Sequence, residues 1–205
     1  CLLHGILHKT IHPKKESEKD MRIAKAIKTD QETIRRFLDV LGGGSVVLSN
    51  NKLAQASFFT LGHSFIQEFI EGVFQKKEEY LINELENGGF PSEGGPIGSL
   101  KADQKKCQET AEHLLNAAKQ WQGGDEIARS EVGWAVSEYT NTCRQRLERM
   151  RNLIVPLLEQ TFTLEEDQQI AEKLNDMVFE HLPKDTPNKY IKVIERLEEQ
   201  LSDWK

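Results

Sequence analysis

Cysteine is scarce: three residues in 205 cannot build the disulfide framework of a small secreted domain. Long apolar runs are missing too, so no stretch reads as a helix that spans a bilayer. Aromatic residues make up only 7%, and no basic patch has aromatics interleaved with it. With a formal charge of −6, nucleic acid is not an expected partner. No segment reads as a strand, and no catalytic triad, zinc-finger or adenine-nucleotide motif occurs. Gly42-Gly43-Gly44 lacks the Gly-Lys-Ser/Thr continuation of a phosphate loop. What remains is abundant charge, 29% of residues, in the proportion that suits a helical, non-disordered chain.

Apolar residues at spacings of three and four predict four long helices, over about 20–41, 50–87, 96–122 and 125–160. The first carries an inward stripe of Ile23, Ile27, Gln31, Ile34, Leu38 and Leu41, and the glycine run at 42–44 is expected to end it. Ser49 or Asn50 would cap the second, whose stripe is Ile66, Ile70, Phe74, Leu81 and Leu85. Pro96 suits the first turn of the third, with Ile97, Leu100, Gln104, Gln108, Ala111, Leu115 and Ala118 inward. Asp125 can cap the fourth, which turns Val132, Val136, Tyr139, Cys143, Leu147, Met150, Ile154 and Leu157 inward. Pro156 should bend its last turns. Thr163 with Glu166 forms a capping box for a fifth helix at about 163–181, and Thr186-Pro187 opens a sixth at about 186–204. Glycine turns joining four long helices imply an all-α, up-down-up-down bundle with two additional C-terminal helices.

Residues 1–18 read as an appendage and linker, leaving 19–205 for the bundle. His4, His8 and His12 sit four apart, which on a helix would stack them like metal ligands, yet no carboxylate or cysteine joins them. A tail is the preferred reading. A start at Cys1 reads as a trimmed or processed end, with a lipid anchor at that cysteine as the alternative to a cytoplasmic setting, although no signal sequence supports it. Cys107 and Cys143 fall on apolar faces and read as reduced and buried. His63 reads as a core or rim residue, His113 and His181 as peripheral, and Lys76-Lys77 as a solvated face.

One feature recurs. Each core helix places polar residues on or beside its inward stripe near mid-length: Gln31, Glu78, Gln104 with Gln108, and Arg146 with Arg151. Such a layer either houses a ligand or knits an internal hydrogen-bond network.

The turn Gly94-Gly95-Pro96-Ile97-Gly98, followed by Asp103-Gln104, resembles the bacterial hemerythrin-like (HHE cation-binding) family, which typically has Glu-His at the latter pair. Lys77-Glu78-Glu79 with Leu81-Ile82, Asn152-Leu153-Ile154-Val155-Pro156 and Asn188-Lys189-Tyr190 resemble it as well, so the likeness covers roughly residues 20–203. The resemblance implies a bundle with a di-iron centre that binds oxygen, reacts with nitric oxide or senses iron. Carried over, the family's first-helix histidine falls on Gln31, and its second-helix His-x-x-x-Glu falls on Phe74 and Glu78. The third-helix histidine falls on Gln104, with Gln108 one turn on, and the final histidine and carboxylate fall on Arg146 and Arg151. Only Glu78 keeps a family ligand type.

Arginine has no lone pair to give a metal and stays charged. The expected state is therefore a bundle without its iron, with no cofactor, serving as a non-enzymatic structural, interaction or regulatory module. Two rival readings stand beside it. One is an anion or small-molecule sensor using Arg146 and Arg151. The other is an oxygen-, nitric-oxide- or iron-binding protein with non-standard ligands. The partner would be an unknown protein or small ligand, a homodimer being one option. If Arg146 or Arg151 reaches the layer, it should hold Glu78 through paired hydrogen bonds, with the glutamines taking the remaining donors and acceptors.

Overall fold

The computed structural model describes residues 21–48, 53–181 and 186–204. Every regular element among them is a helix. Helix α1 is Arg22–Leu48. Helix α2 joins Ala56–Phe65, a π-helical stretch Ile66–Phe74, and Gln75–Asn87. Helix α3 is Gly95–Gln122. Helix α4 joins Ala128–Arg149, a π turn Met150–Ile154, and Val155–Thr161. Helices α5 and α6 are Leu164–His181 and Thr186–Asp203. None of these helices is long and apolar enough to cross a membrane.

Paired contacts give the topology. Lys77 meets Asp30 while Gly62 faces Leu41, so α1 and α2 run antiparallel. Gln104 reaches Glu78 and Lys101 reaches Glu86, so α3 runs against α2. Arg149 meets Asp103 and Glu138 meets His113, so α4 runs against α3. Gln31 to Leu147 and Ser45 to Gly133 close the ring between α1 and α4. The four core helices thus form the up-down-up-down bundle, and α5 and α6 pack outside it on α1, α6 also on α2.

The stripe expected of α1 is buried throughout, but its end is not where the glycines stand. The helix runs on through Gly42-Gly43-Gly44 to Leu48. Neighbours explain the run: a Cβ on Gly44 would overlap the Phe58 ring, and one on Gly43 would lie 2.9 Å from Leu201 Cδ2. Helix-breaking propensity of about 1 kcal/mol per glycine is outweighed by close packing against α2 and α6. Residues Ser49 and Asn50 lie outside the described residues; α2 begins at Ala56 after Gln55.

Gly94 and Gly95 adopt φ of +75° and +54°, a region that favours glycine, and turn the chain so that Pro96 enters the first turn of α3. Asp125 accepts from the Ile127 amide at 2.9 Å ahead of α4. The bend anticipated at Pro156 takes the form of the π turn just before it. Proline has no N–H, and its ring crowds the carbonyl four residues back, so a wider turn at Met150–Ile154 relieves both. The capping box is present: the Thr163 amide donates to Glu166 Oε2 at 2.8 Å, and the Glu166 amide to Thr163 Oγ1 at 3.3 Å.

One long-range cap had no sequence signal. Asp167 on α5 is buried and accepts from the amides of Arg22 and Ile23 at 2.9 and 3.1 Å, satisfying two free donors at the start of α1. Aromatic packing then seats α6, with Trp204 against Phe58 and Tyr190 against Phe65 and Phe69.

Candidate functional site

Halfway along the bundle, Glu78 of α2 and Arg146 of α4 are both fully buried. Arg146 Nε donates to Glu78 Oε2 at 3.0 Å and Oε1 at 3.3 Å, and Nη2 donates to Oε2 as well. Gln104 of α3 donates through Nε2 to the same Oε2 at 2.9 Å. The Phe74 ring lies 5.7 Å from the guanidinium carbon, a cation–π contact. Burial works against the Arg146 charge, but the Glu78 carboxylate and its hydrogen bonds outweigh that, so the guanidinium holds its proton more tightly than usual.

The remaining residues of the expected layer divide. Gln31 is buried, but it donates to the Leu147 carbonyl at 3.2 Å and accepts from Arg35 instead of meeting Glu78. Gln108 is exposed, so it is no part of the layer; the inward position on that turn belongs to Cys107. Arg151 is also out. It lies in the π turn with 61% of its side chain exposed and pairs with Glu148 at 3.4 Å. Likewise Leu114 takes the buried place assigned to Leu115, while Leu157 packs half-buried on the core next to the fully buried Leu158. Lys77 is not solvated: it is 5% exposed and pairs with Asp30 at 2.6 Å. Burial raises the Asp30 carboxyl, with Lys77 pulling the other way.

Three buried residues that the layer reading did not include complete the centre. Cys107 on α3 and Cys143 on α4 are free, buried thiols, each altering the other's ionisation, with the Arg146 charge acting on both and Tyr139 near Cys143. The Tyr139 hydroxyl and Arg146 Nη1 make no hydrogen bond of regular geometry. Glu71, half-buried in the π stretch of α2, has its carboxyl raised by burial although it feels the Arg146 charge. The π stretch changes the angular phase of α2, so alternation of three and four could not have pointed to Glu71.

His63 is 9% exposed; burial and then the nearby Lys119 charge lower its pKa, against Glu112. His113 is exposed and 3.9 Å from Glu138. His4, His8, His12 and Cys1, and the side chain of His181, lie outside the described residues. Away from the centre, a surface groove of about 870 Å³ is lined by Ser45, Leu48, His113, Arg129, Trp134 and Glu138, among others.

The fold and its centre define a class: an antiparallel four-helix bundle whose polar core layer is closed by an ion pair. The hemerythrin HHE cation-binding domain model matches residues 22–158, and the chain belongs to that family. No curated protein and no solved structure matches it. The family's metal-ligand positions are degenerate here. Among the described residues, no three His, Cys, Asp or Glu side chains gather as a metal site would require. Gln31, Phe74, Gln104 and Arg146 do not suit a di-iron centre, for they supply no imidazole and place a permanent cation in a low-dielectric core.

Proposed function

We propose that this chain is a metal-free hemerythrin-like module with a structural, interaction or regulatory role, and that it is not an oxygen carrier or an enzyme. The observation that carries the reading is the buried Glu78–Arg146 pair. The carboxylate that would face iron in the family's pattern is held by a guanidinium through two nitrogens and by the Gln104 amide. A divalent ion there would have to displace Arg146 from its buried counter-charge, Glu78, which is strongly unfavourable. The same pairing weighs against the anion-sensor reading, since two of the three guanidinium nitrogens are committed to Glu78.

An interaction role draws support from the surface. Trp134 is 79% exposed and Ile127 78%; both line a smaller surface pocket with His113, and Trp134 also lines the groove between α1, α3 and α4. Tryptophan so exposed is common at protein–protein contacts and unusual elsewhere.

Elemental analysis of untagged protein expressed with ample iron tests the metal-free reading. It should return far less than one iron per chain. About two irons per chain, or an oxo-bridge absorption band, would overturn it.

A further inference from the structure

The two core cysteines form a site that the polar layer does not explain. Contacts Asp103–Arg149 and His113–Glu138 fix the register of α3 against α4, and Cys107 and Cys143 fall opposite each other between them. Both are buried, at 3% and 0% exposure, on the facing sides of the two helices, near enough for each thiol to act on the other's ionisation. The guanidinium of Arg146 stands beside Cys107, and its Nη1 makes no regular hydrogen bond in the dithiol state.

We infer that Cys107 and Cys143 are a peroxide-reactive dithiol, oxidised by hydrogen peroxide or another small hydroperoxide to a disulfide that staples α3 to α4. Cys107 is the attacking thiol, because it is the more exposed of the two. Contact with Cys143 lowers its pKa against the effect of burial, and Arg146 assists, whereas the Cys143 thiol is pushed well up. The Cys107 thiolate attacks one peroxide oxygen, the O–O bond breaks, and with one proton taken up the departing oxygen leaves as water. Cys107 is then a sulfenic acid. The Cys143 sulfur displaces its hydroxyl, losing a proton, and a second water departs. Overall two thiols and one peroxide give one disulfide and two waters.

Charge selects this chemistry over soft-metal capture. Dithiol and disulfide are both neutral, so oxidation leaves the Glu78–Arg146 balance intact. Two thiolates around a monovalent metal would instead bury a net negative charge beside an Arg146 already paired with Glu78. Size selects the oxidant, because a site this enclosed admits a peroxide far more readily than a glutathione disulfide or a maleimide.

The inference is independent of the metal-free reading, since disulfide formation and iron content are separate measurements. The reduced full-length chain is treated with hydrogen peroxide under native conditions, unfolded, alkylated and mapped by mass spectrometry. A peptide pair joined through Cys107 and Cys143, lighter by about 2 Da than the two free peptides, is expected. Native maleimide labelling of the same cysteines should be slower than peroxide oxidation. In Cys143→Ser, dimedone present as the peroxide-treated chain is unfolded should trap a sulfenic acid at Cys107. Thiols that survive native peroxide, a linkage of either cysteine to Cys1, or maleimide labelling faster than oxidation would each overturn the proposal. The wild-type experiment decides it even if the variant fails to fold.

Discussion

Arg146 grips Glu78 across the centre of the bundle through Nε and Nη2, with neither side chain reaching solvent. A pair of this kind need not make the fold more stable than an apolar replacement would, but breaking it leaves a buried charge without a partner. Glu78→Leu alone and Arg146→Leu alone should each cost about 3–5 kcal/mol, and the double variant much less than their sum. Denaturant melts of the three proteins measure the coupling. Strictly additive losses would show that the pair does not act as a unit. As controls, Gln108→Ala and Arg151→Ala should each change stability by no more than about 0.5 kcal/mol, because both side chains are exposed.

The glycine run of α1 gives a second test, through neighbours that differ by one residue. Nothing lies within 4 Å of a Cβ built on Gly42, whereas one built on Gly44 overlaps Phe58. Gly42→Ala should therefore stabilise the helix by about 0.5–1 kcal/mol. Gly44→Ala should destabilise the fold by about 1–3 kcal/mol through overpacking. Melting both variants checks the sign of each. A destabilising Gly42→Ala would mean the run serves as a break after all.

These glycines also mark where sequence reading reaches its limit. The stripe of α1 from Ile23 to Leu41 is readable because apolar side chains recur at one helical face, and Gln31 shows itself as the one polar member. Glu78 is readable for the same reason. Gly44 is not, because a helix terminator and a close-packing contact have the same composition, and only the position of Phe58 tells them apart. At Gln104 the next inward residue can be three or four positions on. The polar Gln108 continues the layer on paper, while packing against α4 selects Cys107. Arg151 fails differently, since the π turn that carries it leaves no mark in a period of 3.6. The cysteine pair depends on the register between α3 and α4, which no single helix encodes.

Asp167 supplies a test of how α5 is tied to the bundle. Its carboxylate satisfies two amides at the start of α1, a helix that has no acidic residue in its own first turn. Asp167→Ala should cost about 1–2 kcal/mol, at the upper end for a cap because both the side chain and the Ile23 amide are buried. Asp167→Asn should recover part of that, since its amide oxygen can still accept one bond. Hydrogen exchange at Arg22 and Ile23 reads the cap directly. Unchanged protection in Asp167→Ala would show that α1 is held without it.

His63 sets the expected response to mild acid. Its pKa in the folded chain lies below the ordinary 6.5, first because burial opposes the charged ring and then because Lys119 repels it, with Glu112 acting the other way. The unfolded chain therefore binds a proton at His63 before the folded chain does. The stability this residue contributes is complete above 6.5 and is lost as the pH falls through the ordinary value toward the folded one. Glu71, whose carboxyl is raised by burial, contributes with the opposite sign at lower pH. Comparing wild type with His63→Gln removes that contribution, because Glu71 is present in both. Denaturant midpoints taken between pH of about 7.5 and 5.5 should fall more steeply for wild type than for the variant. Parallel curves would show that His63 titrates alike in the folded and unfolded chains, and that the half-exposed carboxylates carry the acid response.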